Sequence, residues 1–183
     1  MQPVLFDSSI YITALRTGHE AALSLRRLAV DSPIWLSTVV LEELYAGIAP
    51  RGRHVLERFE RDFEKARRIL VPNLNDWTQS GKVLARLADK YDHEKIGQGR
   101  LTNDALIAMS AARLGITVIT TNARDFMRLA EFRPFQWTVH DFRKANSLDC
   151  GPFAGGGSSI EGPLKEAWCH GALPAFRLPQ KPF

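Results

Sequence analysis

The chain has 183 residues, of which 45% are hydrophobic and 24% are charged, values that fit a single domain with its own core. Its net charge of +4 is mildly basic and favours a polyanionic partner. Both cysteines, Cys150 and Cys169, lie in the C-terminal region, which excludes a disulfide framework and a thiol nucleophile in the main body of the chain. No apolar run reaches the roughly 18 residues of a membrane span, and MQPVLFDSS lacks the pattern of a signal peptide, so we expect a cytoplasmic protein with no membrane partner.

Strand and helix patterns alternate along the first half of the chain. Serine caps and glycine stops mark helix boundaries: Ser8 or Ser9 caps the first helix and Gly18 ends it. In chain order, the predicted elements are a strand at residues 3–6, the helix that ends before Gly18, a helix at residues 19–30, a strand at residues 33–37, a helix at residues 39–49 and an amphipathic, largely basic helix at residues 52–70.

The second half of the chain continues the alternation. Thr102 or Asn103 is predicted to cap a helix that opens with Asp104 and that Gly115 ends. In chain order, the predicted elements are a helix at residues 75–91, a loop at residues 97–100, the capped helix at residues 104–114, a strand at residues 116–120, a short helix and a last strand at residues 135–140. This alternation predicts an α/β fold whose mostly parallel sheet carries helices on both faces.

The composition changes near residue 146. Beyond this point the sequence is rich in Gly and Pro and loses the periodicity of helices and strands. We therefore predict one domain at residues 1–146 and a flexible C-terminal tail at residues 147–183, to which the sequence assigns no role.

Four acidic residues at the ends of apolar segments are the most informative feature of the chain. Asp7 follows the first predicted strand, Glu43 lies inside an apolar helix, Asp104 opens a helix, and Asp125 follows a later strand. Open α/β sheets bind their ligands at the carboxyl ends of the strands. Carboxylates that meet there repel one another unless a cation lies between them, and oxygen ligands suit Mg²⁺ or Mn²⁺. The pattern indicates metal-assisted chemistry on a phosphate.

Each acid taken singly also has a structural explanation. Asp7 and Asp125 could cap helices, and Asp104 would complement the helix dipole in a first turn. Glu43 is harder to explain in this way, because it shares a helix face with small and apolar residues, where an unpaired carboxylate is costly. Four such acids in one α/β domain favour a shared function.

Three strings and the closing aromatic strand resemble the PIN-domain family of ribonucleases, and more narrowly its VapC-like toxin branch. The strings are LFDSSIYI, STVVLEELYAG and NDALIAMSAARLGITVITTNARDF. The resemblance implies a three-layer α/β/α fold and a divalent-metal-dependent endoribonuclease that uses one or two Mg²⁺ or Mn²⁺ ions. It also implies the toxin of a toxin–antitoxin pair, with RNA as substrate, a cognate antitoxin as partner and a homodimer as assembly.

The acidic positions of the family fall on Asp7, Glu43, Asp104 and Asp125 of this sequence. By this resemblance Asp7, Asp104 and Asp125 would bind the metal. Glu43 would bind it as well or orient the attacking water.

Further residues carry over as supporting groups. Ser9 falls on a hydroxyl often placed beside the first acid, and Thr120 adds an oxygen in the loop after a strand. Asn122 falls on a position that is Asp in other branches, which leaves open whether Asp125 binds metal directly or through water. Arg51 and Arg53 are candidates for contacting RNA phosphates, the alternative being a solvated helix face paired with nearby glutamates.

Other classes of phosphate chemistry fit less well. A haloacid-dehalogenase-like phosphatase needs a second Asp two residues after the first, where this chain has Ser9. A P-loop or dinucleotide-binding fold needs a glycine-rich first turn, which DSSIYI does not contain. The alternative that stays open is a catalytically inactive PIN-like module that binds RNA or protein.

Overall fold

The structure, a computed structural model, describes residues 2–17, 32–91 and 100–142. The helix predicted at residues 19–30 and the tail predicted at residues 147–183 lie outside the described residues. None of the helices in the described parts of the chain is long and apolar enough to cross a membrane.

In the described parts of the chain, five parallel strands form one sheet at the centre of the fold. The strands are β1 (Val4–Phe6), β2 (Ile34–Ser37), β3 (Ile69–Leu70), β4 (Thr117–Thr120) and β5 (Trp137–Val139). Their spatial order is β3-β2-β1-β4-β5, with Val4 of the central strand in register with both Ile34 and Thr117. All three residues of β1 are buried, as expected for a parallel strand with helices on both sides of its sheet.

Helices connect and cover these strands, so the predicted three-layer α/β/α class is confirmed. The helices of the described residues are α1 (Ser8–Thr17), α2 (Thr38–Gly47), α3 (Arg53–Lys65), α4 (Leu74–Tyr91), α5 (Arg100–Leu114) and α6 (Ala123–Phe132), with a short 3₁₀ helix at Pro50–Gly52. Helices α4, α5 and α6 pack against one another, while α1, α3 and α5 each pack against α2.

Helix α5 forms the centre of the core, since every residue from Ala105 to Ala111 is buried. Ser110 is tolerated there because its hydroxyl donates to the carbonyl of Leu106 at 2.6 Å. At the end of this helix, Arg113 donates from Nε to both carboxylate oxygens of buried Asp76, each at 3.0 Å, which fixes α4 against α5. The packing holds the helix that carries Asp104 in one position.

The prediction that α5 opens with Asp104 is wrong. The helix begins at Arg100, so Asp104 is its fifth residue, and the expected caps Thr102 and Asn103 lie within the helix. The favourable field of a helix N-terminus falls off within the first turn. The dipole therefore explains Asp104 less well than the sequence indicated.

The prediction that one helix spans residues 52–70 is also wrong at its C-terminus. Helix α3 ends at Lys65, and Arg67 takes a left-handed conformation with φ of 53°. The N–H groups of Arg67 and Arg68 donate to the carbonyls of Glu64 and Phe63, at 2.9 and 3.0 Å. These bonds form a Schellman motif, in which glycine usually occupies the left-handed position. Because an arginine stands there, the sequence did not reveal the stop.

Replacing Arg67 with glycine should stabilise the protein. Glycine has no Cβ to oppose a positive φ, so we expect Arg67→Gly to raise the free energy of unfolding by about 0.5–1 kcal/mol. Urea denaturation followed by circular dichroism measures this change. Arg67→Ala is the matched control, because it removes the same side chain but keeps Cβ. Equal gains in both variants would mean that backbone conformation is not the cause.

Candidate active site

The strand order reverses at the carboxyl ends of β1 and β4. From β1 the chain proceeds to β2 and β3 on one side of the sheet, whereas β4 leads to β5 on the other. In open α/β sheets, ligands bind where the strand order reverses in this way. Asp7 directly follows β1, with its backbone N–H still bonded to the carbonyl of Ile119 at 2.9 Å, and Thr120 ends β4.

Asp7 is only 2% exposed and is held by hydrogen bonds from Ser8, Ser9 and Thr120. Ser9 and Thr120 donate their hydroxyl protons to Oδ2 at 2.7 and 2.9 Å, and the N–H of Ser8 donates to Oδ1 at 2.7 Å. Burial raises the pKa of Asp7 above its usual value, these bonds oppose the shift, and the charge of Glu43 adds to it. The bond from the N–H of Ser8 to Oδ1 shows that Asp7 also caps the start of α1. Its other oxygen, Oδ2, faces the hydroxyls of Ser9 and Thr120 instead.

Ser9 and Thr120 also fix the loop that follows β4. Their hydroxyl oxygens accept the N–H groups of Thr121 and Asn122, at 3.1 and 2.9 Å respectively. Each hydroxyl thus accepts from the backbone while it donates to Asp7, so its single proton is directed to the carboxylate. Ser9 and Thr120, two of the three residues predicted as supporting groups, therefore lie beside Asp7.

Asn122 connects two further acids. Its Nδ2 donates to Oδ2 of Asp104 at 3.1 Å and to Oδ2 of Asp125 at 2.9 Å, while its own side chain caps α6. Burial, together with the negative charges of Asp7, Glu43 and Asp125, raises the pKa of Asp104 to about 8, and the hydrogen bond from Asn122 opposes the shift. Asp104 therefore lies within electrostatic reach of the other three acids.

Glu43 reaches this site from α2. Glu42 is exposed and Glu43 is partly buried, as their positions on the helix predicted. Oε1 of Glu43 accepts a hydrogen bond from Nδ2 of Asn103 at 2.8 Å. Oε2 is buried without a hydrogen-bond partner among the described residues, which is costly for a carboxylate oxygen.

The donor set fits a hard divalent cation. It consists of carboxylate, amide and hydroxyl oxygens. One of them, the buried Oε2 of Glu43, has no hydrogen-bond partner in the described part of the protein. A bound cation would reduce the repulsion between the carboxylates and would also give this oxygen a partner. As the side chains stand, no three His, Cys, Asp or Glu residues of the described ranges form a ready-made metal cluster. Because like charges repel, the carboxylates are expected to approach one another more closely when a cation is bound.

The structure adds two functional candidates that the sequence pattern does not indicate. Asn103, predicted as a possible helix cap, lies inside α5 and donates to Glu43. The signal for this role is a polar residue within a largely buried helix, and it becomes visible only when the helix is known to begin at Arg100. Arg128 places Nη1 3.9 Å from Oδ1 of Asp125, and the signal was its i+3 spacing from that acid.

Arg51 and Arg53 lie apart from the hydrogen bonds of the acid site. Arg51 belongs to the 3₁₀ helix and Arg53 opens α3, and both side chains are exposed. One nearby glutamate, Glu60, accepts a hydrogen bond from the hydroxyl of Tyr45 at 2.6 Å. A role for the two arginines in RNA contact stays a prediction.

Comparisons with known proteins agree with this architecture. A family model described as the PIN domain matches residues 4–132. A search of curated proteins finds no significant match.

Similar folds occur in solved structures of VapBC complexes. VapBC2 from Rickettsia felis, bound to a DNA fragment from its promoter, contains a chain that is 21% identical, with 76% of this chain and 100% of that chain covered and a TM-score of 0.57. DNA-bound VapBC from Salmonella typhimurium contains a chain that is 20% identical, with 76% of this chain and 98% of that chain covered and a TM-score of 0.54. The matching chain of VapBC-1 from nontypeable Haemophilus influenzae is 23% identical, with 78% of this chain and 99% of that chain covered and a TM-score of 0.51. At these identities the likeness establishes the shared fold.

The raised pKa of Asp104 predicts a characteristic pH dependence of stability without metal. The unfolded chain releases this proton near pH 4, whereas the folded protein keeps it up to about pH 8. The contribution of Asp104 to stability is therefore fully present below pH 4 and is lost as the pH rises towards 8. In EDTA at pH 8, Asp104→Asn should be more stable than the parent by at least about 1 kcal/mol.

Chemical denaturation in EDTA between pH 4 and pH 8.5 tests this expectation. Asp89→Asn is the matched control, because Asp89 is an exposed carboxylate on α4 and its loss should leave the pH profile of the parent unchanged. If the free energy of unfolding of Asp104→Asn fell with rising pH as steeply as that of the parent, the buried carboxyl of Asp104 would not be the cause of the pH dependence.

Proposed function

Because the chain belongs to the PIN-domain family, we propose that it is a divalent-metal-dependent endoribonuclease, the toxin of a toxin–antitoxin pair. The observation that carries the proposal is the meeting of the acids at the carboxyl ends of β1 and β4, where Thr120 donates to Asp7 and Asn122 donates to both Asp104 and Asp125. Buried acids in such an arrangement destabilise a protein unless they hold protons or bind a cation.

Asp7, Asp104 and Asp125 would hold one or two Mg²⁺ or Mn²⁺ ions, with Glu43 either as a further ligand or as the residue that orients the attacking water. A bound ion would supply a Lewis acid for the scissile phosphate and make the attacking water more acidic. In-line attack of that water on phosphorus would cleave the RNA strand.

The chain's own polar groups prepare these acids for their roles. Asn103 occupies Oε1 of Glu43, so Oε2 is the oxygen that can accept a proton from the attacking water. Ser9 and Thr120 fix Oδ2 of Asp7, and Asn122 keeps Asp104 beside Asp125. Side chains that are oriented in advance lose little entropy when the substrate binds.

The proposal includes a partner and an assembly. The similar solved structures are of VapBC complexes, two of them bound to DNA, which supports a cognate antitoxin for this chain as well. We extend the proposal to a homodimer that acts on RNA in the cytoplasm. The competing function is an inactive PIN-like module, and the unpartnered oxygen of Glu43 favours the enzyme over it.

Metal binding provides one test of the proposal. Isothermal titration of Mn²⁺ into the metal-free protein should show saturable binding, and Glu43→Gln should weaken it because it removes the charge of the unpartnered oxygen. Asn103→Ala should lower the affinity by roughly 10- to 100-fold, the usual effect of removing a group that orients a ligand. Glu42→Gln is the matched control on the exposed face of α2 and should bind Mn²⁺ like the parent. No saturable binding by the parent would favour the inactive module.

RNA cleavage provides the direct test. Total RNA incubated with the protein and Mg²⁺ or Mn²⁺ should acquire new ends, which sequencing maps. Asp7→Asn and Asp104→Asn should reduce the rate by roughly a hundredfold or more, because each removes a charge that the cation requires. Glu43→Gln should behave like them and Glu42→Gln like the parent. If Asp104→Asn cleaved as fast as the parent, the assigned site would be wrong.

A further inference from the structure

Arg128 lies beside the acid site and has no close hydrogen-bond partner among the residues that the structure describes. It follows Asp125 by one turn of α6, and its Nη1 is 3.9 Å from Oδ1 of that residue. This distance exceeds the 2.7–2.9 Å that is typical of a charge-assisted hydrogen bond. The side chain is 25% exposed, and that of Asp125 is 32% exposed, so both can be reached from solvent.

An aromatic ring supports the guanidinium group of Arg128. Its Cζ lies 5.1 Å from the centre of the Tyr91 ring, at the end of α4. The hydroxyl of Tyr91 donates to Oε2 of Glu131 at 2.7 Å, which fixes the ring. Lys90 pairs with the other oxygen of Glu131, so the charge of this glutamate is already balanced. Glu131 therefore leaves Arg128 available to another anion.

The contact with the Tyr91 ring does not supply hydrogen-bond acceptors for the N–H groups of Arg128, because a cation over an aromatic face is held by the electrostatic field of the ring. A guanidinium group that lies on an aromatic face has five N–H donors around its edge, in a fork that matches the oxygens of a phosphate. Asp125 does not satisfy these donors at 3.9 Å, and its Oδ2 is engaged with Asn122. The described residues thus leave a cation with unused N–H donors beside the acids.

We propose that Arg128 binds a phosphate of the RNA strand next to the scissile phosphodiester. An RNA strand whose scissile phosphate lies at the acid site brings the neighbouring phosphates close to Asp125. The repulsion between these phosphates and the carboxylate of Asp125 must be offset. Arg128 is placed to offset it, since the residue lies next to Asp125 at the exposed side of the site. The proposal rests on the nuclease function proposed above and adds a phosphate-binding subsite on α6, away from Arg51 and Arg53.

The salt dependence of RNA binding tests the subsite. We would measure the affinity for a fluorescent single-stranded RNA in the Asp104→Asn background, where cleavage is blocked, over a series of salt concentrations. Loss of one phosphate contact should lower the slope of log Kd against log salt by about 0.7, and Arg128→Gln should show this loss. Arg128→Lys should keep the slope but bind less tightly, because it retains the charge without the fork.

Arg133→Gln is the matched control. Arg133 is exposed at the opposite end of α6 from the acids, and its substitution changes the net charge by the same amount. The slope should stay at the parent value. An equal fall in both variants, or an unchanged slope in Arg128→Gln, would overturn the subsite while leaving the nuclease proposal intact.

Two further outcomes are also decisive. If Arg128→Gln did not fold, as judged by its melting curve, Arg128→Lys would carry the test, and an RNA affinity equal to that of the parent would overturn the subsite. If the Asp104→Asn protein showed no salt-dependent binding of RNA, the proposed function and the subsite would fail together.

Discussion

Repulsion among buried carboxylates is the constraint on which the rest of this structure depends. Burial raises the pKa of Asp7 and, with the neighbouring negative charges, raises the pKa of Asp104 to about 8. Donors from Ser9, Thr120 and Asn122 compensate only part of this cost. At neutral pH the group must keep protons or bind a cation, and a divalent ion stabilises the arrangement while providing the chemistry of phosphodiester cleavage in the function proposed here.

The fold meets this constraint with polar links between elements that are distant in sequence. Asn103 joins α5 to Glu43 on α2, and Asn122 joins the start of α6 to Asp104 on α5. Asn103 and Asp104 belong to α5, in which all seven residues from Ala105 to Ala111 are buried. The close packing of this helix gives the acids a rigid support. Their spacing can then change little except through side-chain rotation.

Charge is distributed unevenly around this site. Asp7 and Asp104 are buried, whereas Asp125 and Arg128 are partly exposed, and Arg128 is supported by Tyr91. In the proposed complex the carboxylates would hold the cation and Arg128 would hold the RNA strand. The attraction to a polyanion would then come from a residue outside the metal centre. A weakly basic overall charge of +4 is consistent with this division of roles.

The sequence by itself determined the alternation of strands and helices, the α/β class and the four acids at the ends of apolar segments, because periodicity and position after a strand are local properties. Its resemblance to the PIN-domain family agrees with the family match over residues 4–132. The sequence misplaced the end of α3 and the start of α5, where Arg67 replaces the usual glycine and a helix extends beyond its expected caps. Only the tertiary structure decided that Asn103 orients Glu43, sixty residues away, and that Tyr91 supports Arg128. Such contacts depend on how separate helices pack, and no local pattern encodes them.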